Sequence, residues 1–267
     1  MFKSNNLTKI RILSVLAYCL MIFVNALAIM LPLGGKTTKE LSDMYPNLFV
    51  PAPITFAIWS VIYLFLLFYV VYQTGIFSNN SSTLTGKISE MGWLFILSCG
   101  LNATWIVAWQ YQQVLISVII MAIFLINLIM LYLKTRTDKK ASLKKKLFLS
   151  IPFSIYLGWI SVATIANVTA LLVSLKWNGF GINPQIWTVV MIAIATVLAI
   201  LFLQKHKDYF YALVIFWAVT GILINHSTIL TYKYPVIMGT SAASLLVIFL
   251  FMLYTATKKE KRKVKHA

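Results

Sequence analysis

The sequence predicts an all-α, polytopic membrane bundle of eight helices, and three observations carry that prediction. Sixty per cent of the 267 residues are hydrophobic, and the mean hydropathy is +0.86, values that belong to membrane proteins. The apolar residues gather into eight runs, approximately Ile12–Leu33, Ile54–Gln73, Met91–Trp109, Val114–Leu133, Phe148–Val173, Ile186–Leu203, Phe210–Leu230 and Val236–Tyr254. At 1.5 Å per residue each run covers a hydrocarbon core of about 30 Å. All 23 Lys and Arg and all six acidic residues fall outside the runs.

The first run follows Lys9 and Arg11 and contains Ala26-Leu27-Ala28, the outline of a secretory signal with a small-residue cleavage site. Continuation through Ile29-Met30-Leu31 to full span length favours a retained helix. Residues 34–53 form the longest loop, from Gly34-Gly35 to Pro46, Pro51 and Pro53. Tyr45, Leu48 and Phe49 are too apolar for a solvated linker, so the loop is expected to fold back over the mouth of the bundle. Proline suits the lead-in to a helix and disrupts its interior, which starts the second span near Ile54.

Between the third and fourth runs lie only four residues, Gln110 to Gln113, which predicts a tight antiparallel hairpin. In the seventh run, Asn225 and His226 interrupt the second half. His226 is expected near the loop end of that helix, at the interface. Cys19 and Cys99 fall within spans without metal-ligand spacing, and are expected as small core residues. The Asn80-Ser81-Ser82 sequon lies on the predicted cytoplasmic side and has no use there.

A net charge of +17 invites a nucleic-acid reading, but the distribution of the charge argues against it. With a cytoplasmic N-terminus, nineteen of the 23 basic residues fall in inside segments. Only Lys36, Lys39, Lys176 and Lys233 fall outside. That is a strong positive-inside bias, which puts both ends in the cytoplasm. The basic tail from Lys258 suits anionic headgroups. The expected localisation is multi-pass, in a bacterial cell membrane, with the bilayer as partner and no nucleic acid.

Three runs carry aromatic and amide residues at helical spacing. Trp59 and Tyr63 are four apart, with Phe56 just before them. Asn102, Trp105 and Trp109 follow i, i+3, i+7. Tyr156, Trp159, Ala163 and Asn167 follow i, i+3, i+7, i+11. Each set therefore shares one helix face. Asn102 and Asn167 need hydrogen-bond partners in hydrocarbon and should face the interior. Given the alternating direction of the spans, these faces lie at similar depth in the outer half. They could line an apolar pocket with a few polar handles, suited to a flat aromatic ligand. Gly100, Thr104 and Ala108 form a small-residue strip on the opposite face of the third run, suited to packing within the subunit or to a homodimer. The run ending in Tyr132 and Lys134 matches a loose sterol-contact pattern, although both residues serve equally as interface anchors.

These residues resemble the TspO family, also called tryptophan-rich sensory proteins or translocator proteins (peripheral benzodiazepine receptors). The carried motifs are Trp59-Ser-Val-Ile-Tyr63, Leu101-Asn102-Ala-Thr-Trp105 and Tyr156-Leu-Gly-Trp159-Ile-Ser-Val-Ala163-Thr-Ile-Ala-Asn167. The resemblance covers about residues 10–173 and implies that family's five-helix unit over residues 1–175. Three additional transmembrane helices would follow over 176–257, then a basic cytoplasmic tail over 258–267. It also implies binding of porphyrins or related tetrapyrroles such as haem, with no cofactor required. Trp59, Tyr63, Asn102, Trp105, Tyr156, Trp159, Ala163 and Asn167 would be the ligand-binding residues. The chain departs from the family's usual Gly-Pro before the second-helix tryptophan, having Phe56-Ala57-Ile58 there. It has Ile155 where proline usually precedes the fifth-helix tyrosine, and it lacks the sterol motif at the end of that helix.

The expected function is a sensory or binding protein for a flat hydrophobic ligand; the alternative is a transporter of a small lipophilic solute. Ion-coupled transport and a retinal Schiff base both want an ionisable residue within a span, and the runs contain no Lys, Arg, Asp or Glu. Conventional hydrolysis or metal chemistry lacks paired carboxylates, a Ser-His-Asp order or a ligand cluster in the runs.

Overall fold

The computed structural model describes residues 2–31, 33–36, 38–74, 82–136, 143 and 146–264. The Asn80-Ser81 part of the sequon, most of the basic segment between Arg136 and Lys146, and the last residues of the basic tail lie outside them. Nine α-helices follow in order: α1 (Phe2–Met30), α2 (Thr38–Asp43), α3 (Ile58–Thr74), α4 (Ser82–Gln110), α5 (Val114–Thr135), α6 (Ile151–Ser174), α7 (Pro184–His206), α8 (Tyr209–Ile224) and α9 (Pro235–Val264). Among the described residues there is no strand. Eight helices are long and apolar enough to cross a membrane; only α2 is not among them. Eight apolar crossings make this a multi-pass integral membrane protein.

Local chemistry sets the helix ends. Pro184 and Pro235 open α7 and α9, where a missing N–H costs nothing. Asn183 caps α7 by accepting from the Gln185 N–H at 2.9 Å. Asp208 caps α8, its Oδ1 accepting from the N–H groups of Phe210 (3.1 Å) and Tyr211 (3.2 Å). The short α4–α5 hairpin closes as expected, with Gln112 in the left-handed region at φ 57°. The interruption at Asn225 and His226 does not end the seventh span. Instead α8 widens into a π-helical turn over Asn225–Ile229, and the span runs on to Ile229.

The chain divides into two compact units: residues 1–45 with 58–160, and residues 46–57 with 161–267. The division falls inside α6 and sets the second half of the long loop apart from the first. In the first unit, α4 packs against both α1 and α5, and α3 against α1. Tyr69 is fully buried between Phe95 and Phe153, ring centroids 4.8 and 4.7 Å away. Gln110, also fully buried, donates through Nε2 to the carbonyls of Ala28 (2.9 Å) and Lys36 (3.0 Å), tying the end of α1 to the end of α4. Gly34, at φ 74°, makes this turn, and a Cβ there would meet the Gln110 carbonyl oxygen.

In the second unit, α9 packs on α7 and α8. Phe202 stacks on Tyr211 across the α7–α8 hairpin with centroids 3.6 Å apart, and the Tyr211 hydroxyl donates to Ser161 Oγ at 3.0 Å. Trp187 donates to the Gly179 carbonyl at 3.1 Å and packs on Trp177. Two expectations need correction. Cys19 is exposed on the flank of α1 and only Cys99 is buried. His226 is fully buried rather than interfacial, because the Leu48 carbonyl lies 2.9 Å from its Nε2 and supplies the partner that water would have supplied.

Candidate functional site

Trp59 sits near the start of α3 and is the hub of an aromatic cluster in the first unit. Its ring stacks on Tyr63, one turn along the same helix (5.6 Å, 26°), and on Trp105 of α4 (6.0 Å, 29°). It meets Tyr156 (6.3 Å, 77°) and Trp159 (6.1 Å, 84°) of α6 edge-on. Offset stacks and edge contacts are the arrangements that ring quadrupoles favour. The stack continues from Trp105 to Trp109 (6.4 Å, 20°) and on to Tyr45 (5.8 Å, 53°). Tyr45 therefore places the first half of the long loop against α4, and partial burial raises its phenol above the ordinary value.

Asn102 is the polar centre beside these rings, and it is fully buried. Its Nδ2 donates to the Tyr156 hydroxyl at 3.0 Å, and its Oδ1 accepts from Asn25 Nδ2 at 2.6 Å. Asn25 Nδ2 also donates to the Met21 carbonyl at 2.9 Å. The Tyr18 hydroxyl donates to the Tyr63 carbonyl at 3.0 Å. An amide in hydrocarbon must find partners within the protein, so this network fixes α1, α4 and α6 against one another. Among the described residues no group of three or more His, Cys, Asp or Glu could hold a metal ion.

Six of the eight expected ligand residues come together here: Trp59, Tyr63, Asn102, Trp105, Tyr156 and Trp159. Trp105 and Trp159 are buried at 7% and 3% exposure, while Trp59 and Tyr63 are half-buried. Ala163 and Asn167 lie further along α6, in the other compact unit. Ala163 is half-buried and Asn167 is buried. On the small-residue strip, Gly100 and Thr104 are exposed and Ala108 is buried. Thr104 turns its hydroxyl back to the Gly100 carbonyl at 2.9 Å.

A family model described as TSPO-like protein matches residues 11–254. The chain belongs to the TSPO-like family. That match runs through all eight spans, so the last three helices belong to the TSPO-like region as much as the first five do. No curated protein and no solved structure matches the chain.

Sequence reasoning missed Asn25 and Tyr18 of α1 as members of the TSPO-like site. A signal for Asn25 was present, since the argument applied to Asn102 and Asn167, an amide inside an apolar span, applies equally to it.

Proposed function

We propose that this chain is a membrane binding protein, sensory rather than enzymatic, for a flat hydrophobic ring system of the porphyrin or haem type. The ligand would be taken at the Trp59 cluster, with both chain ends in the cytoplasm. What supports the reading is the disposition of Trp59 among four other rings beside one buried amide centre.

The rings now satisfy one another, so a ligand must replace those contacts. Four ring contacts at about 0.5–1.5 kcal/mol each amount to about 2–6 kcal/mol. Burying roughly 300 Å² of apolar ligand surface at about 25 cal/mol per Å² contributes about 7 kcal/mol. A flat aromatic guest offsets the loss further, because it stacks on the same faces it separates. An aliphatic guest recovers only the burial.

The test is titration of the purified protein in lipid nanodiscs with protoporphyrin, haem, a bilin and a sterol, read by tryptophan quenching and by the Soret band. Saturable porphyrin binding that is lost in Trp59→Ala supports the reading. Equal, unsaturable partitioning of all four compounds overturns it. Time-dependent accumulation of porphyrin inside sealed proteoliposomes would move the reading from binding to transport.

A further inference from the structure

Within the second unit, the residue 46–57 segment lies on α8 and the turn that continues it through four hydrogen bonds. Trp217 Nε1 donates to the Thr55 carbonyl at 2.9 Å, and the Ala52 N–H donates to the Gly221 carbonyl at 2.9 Å. Asn225 Nδ2 donates to the Val50 carbonyl at 3.0 Å, and His226 Nε2 lies 2.9 Å from the Leu48 carbonyl. Trp217, Gly221 and Asn225 are spaced i, i+4, i+8, so they form one stripe along the helix. The segment runs along that stripe, meeting it at Thr55, Ala52 and Val50 in turn.

The middle of the stripe is a contact that only glycine allows. A Cβ at residue 221 would fall on the Thr55 side chain and within 2.9 Å of Pro51 Cβ. Thr55 is fully buried, and its Oγ1 has no conventional hydrogen bond. The hydroxyl is pressed against the glycine backbone instead. Phe49 and Ala52 are each only 2% exposed, so the segment is closed down rather than draped. Only three residues separate Thr55 from Trp59 in the sequence, and the backbone between them is a 3-10 turn followed at once by α3.

We propose that Trp217, Gly221 and Asn225 form a clasp for the Val50–Thr55 segment, so that α8 positions the start of α3 and, through the chain, Trp59. The three are positioning residues, and holding this loop is a role for the later spans. The effect on ligand binding rests on the function proposed above; the clasp itself does not.

The experiment measures how fast a membrane-impermeant maleimide labels Ala52→Cys in a Cys19→Ser, Cys99→Ala background in nanodiscs. The clasp predicts slow labelling in the parent. Trp217→Phe, which keeps the aromatic surface and loses one N–H, should label about threefold to tenfold faster, the change expected when one hydrogen bond is lost. Gly221→Ala should label faster still, and its excess should shrink in a Thr55→Ala background, where most of the obstructing atoms are gone. Trp187→Phe, which removes a similar indole bond elsewhere in the unit, should leave the rate unchanged.

Unchanged labelling in Trp217→Phe and Gly221→Ala overturns the clasp. So does a Gly221→Ala increase of the same size with and without the Thr55→Ala change, or an increase shared by Trp187→Phe, because either pattern reports general loosening. If Gly221→Ala does not fold, Trp217→Phe and Asn225→Leu decide against the same control. A parallel protoporphyrin titration by the Soret band should show weaker binding in Trp217→Phe. Absence of binding in the parent removes the proposed ligand while the labelling rates still decide the clasp.

Discussion

Asn102 and Asn25 share the shortest of the hydrogen bonds around the aromatic cluster, 2.6 Å from amide to amide between α4 and α1. Asn102 spends its other end on the Tyr156 hydroxyl, so one fully buried side chain joins three spans. Interhelical bonds of this kind in membranes are worth about 0.6 kcal/mol on average and about 1.7 at most.

The first prediction concerns that pair. In a double-mutant cycle, Asn25→Ala and Asn102→Ala should show a coupling of about 1 kcal/mol in SDS unfolding of the purified protein. Asn102→Ala should be the more damaging single change, since it strands both Asn25 and Tyr156. Strict additivity would mean that the two amides do not support each other.

A second prediction divides the tryptophans. Trp59→Phe, Trp105→Phe and Trp159→Phe each keep a ring and should weaken porphyrin binding by about 1 kcal/mol, the scale of one aromatic contact. Trp93→Phe and Trp187→Phe should leave binding unchanged, because Trp93 is 53% exposed and Trp187 is engaged with Gly179 and Trp177. Isothermal or spectroscopic titration of the five variants reads the difference. Equal tolerance throughout would leave the cluster as packing alone.

Third, Asp208 is nearly fully buried and caps α8 through two backbone N–H groups. Asp208→Ala should cost about 1 kcal/mol of stability, and Asp208→Asn should recover most of it, since either side chain can accept from the same donors. Unfolding curves of the three proteins check the order.

The fourth prediction is topological. Ser42→Cys and Leu143→Cys, in a cysteine-free background, should label from opposite faces of sealed vesicles, because three spans separate them. The charge bias predicts that Leu143→Cys labels from the cytoplasmic face. Labelling of both from one face would break the eight-span arrangement.

The spans were legible because length and hydropathy alone decide them, and the α4–α5 hairpin because four residues leave no other connection. Six members of the aromatic cluster were legible because helical periodicity aligns Trp59 with Tyr63, Asn102 with Trp105, and Tyr156 with Trp159. Asn25 stayed hidden because no aromatic residue at helical spacing draws attention to it in α1. The clasp was not legible at all. Its side-chain bonds join residues 162 to 178 apart, and half of each bond is a backbone carbonyl, which no side-chain pattern records. The same reason explains His226, whose burial depends on the carbonyl of Leu48. The division within α6 was hidden too, since no proline or glycine marks residue 160.

The π-helical turn at Asn225–Ile229 also constrains what the chain can become by mutation. It is an α-helical turn carrying one residue more than it needs. Deleting any one residue between Ile224 and Leu230 would let ordinary α-helical bonding close, a local gain in regularity. The same deletion would rotate everything after it by about 100°, one residue's share of a 3.6-residue turn. His226 or Tyr234, now in edge contact at 5.7 Å, would have to turn away, and α9 would start from a different direction. Single-residue insertions and deletions at this position should therefore be purged from descendants that keep the clasp, while the same length changes next to Lys176 or Lys233 are tolerated.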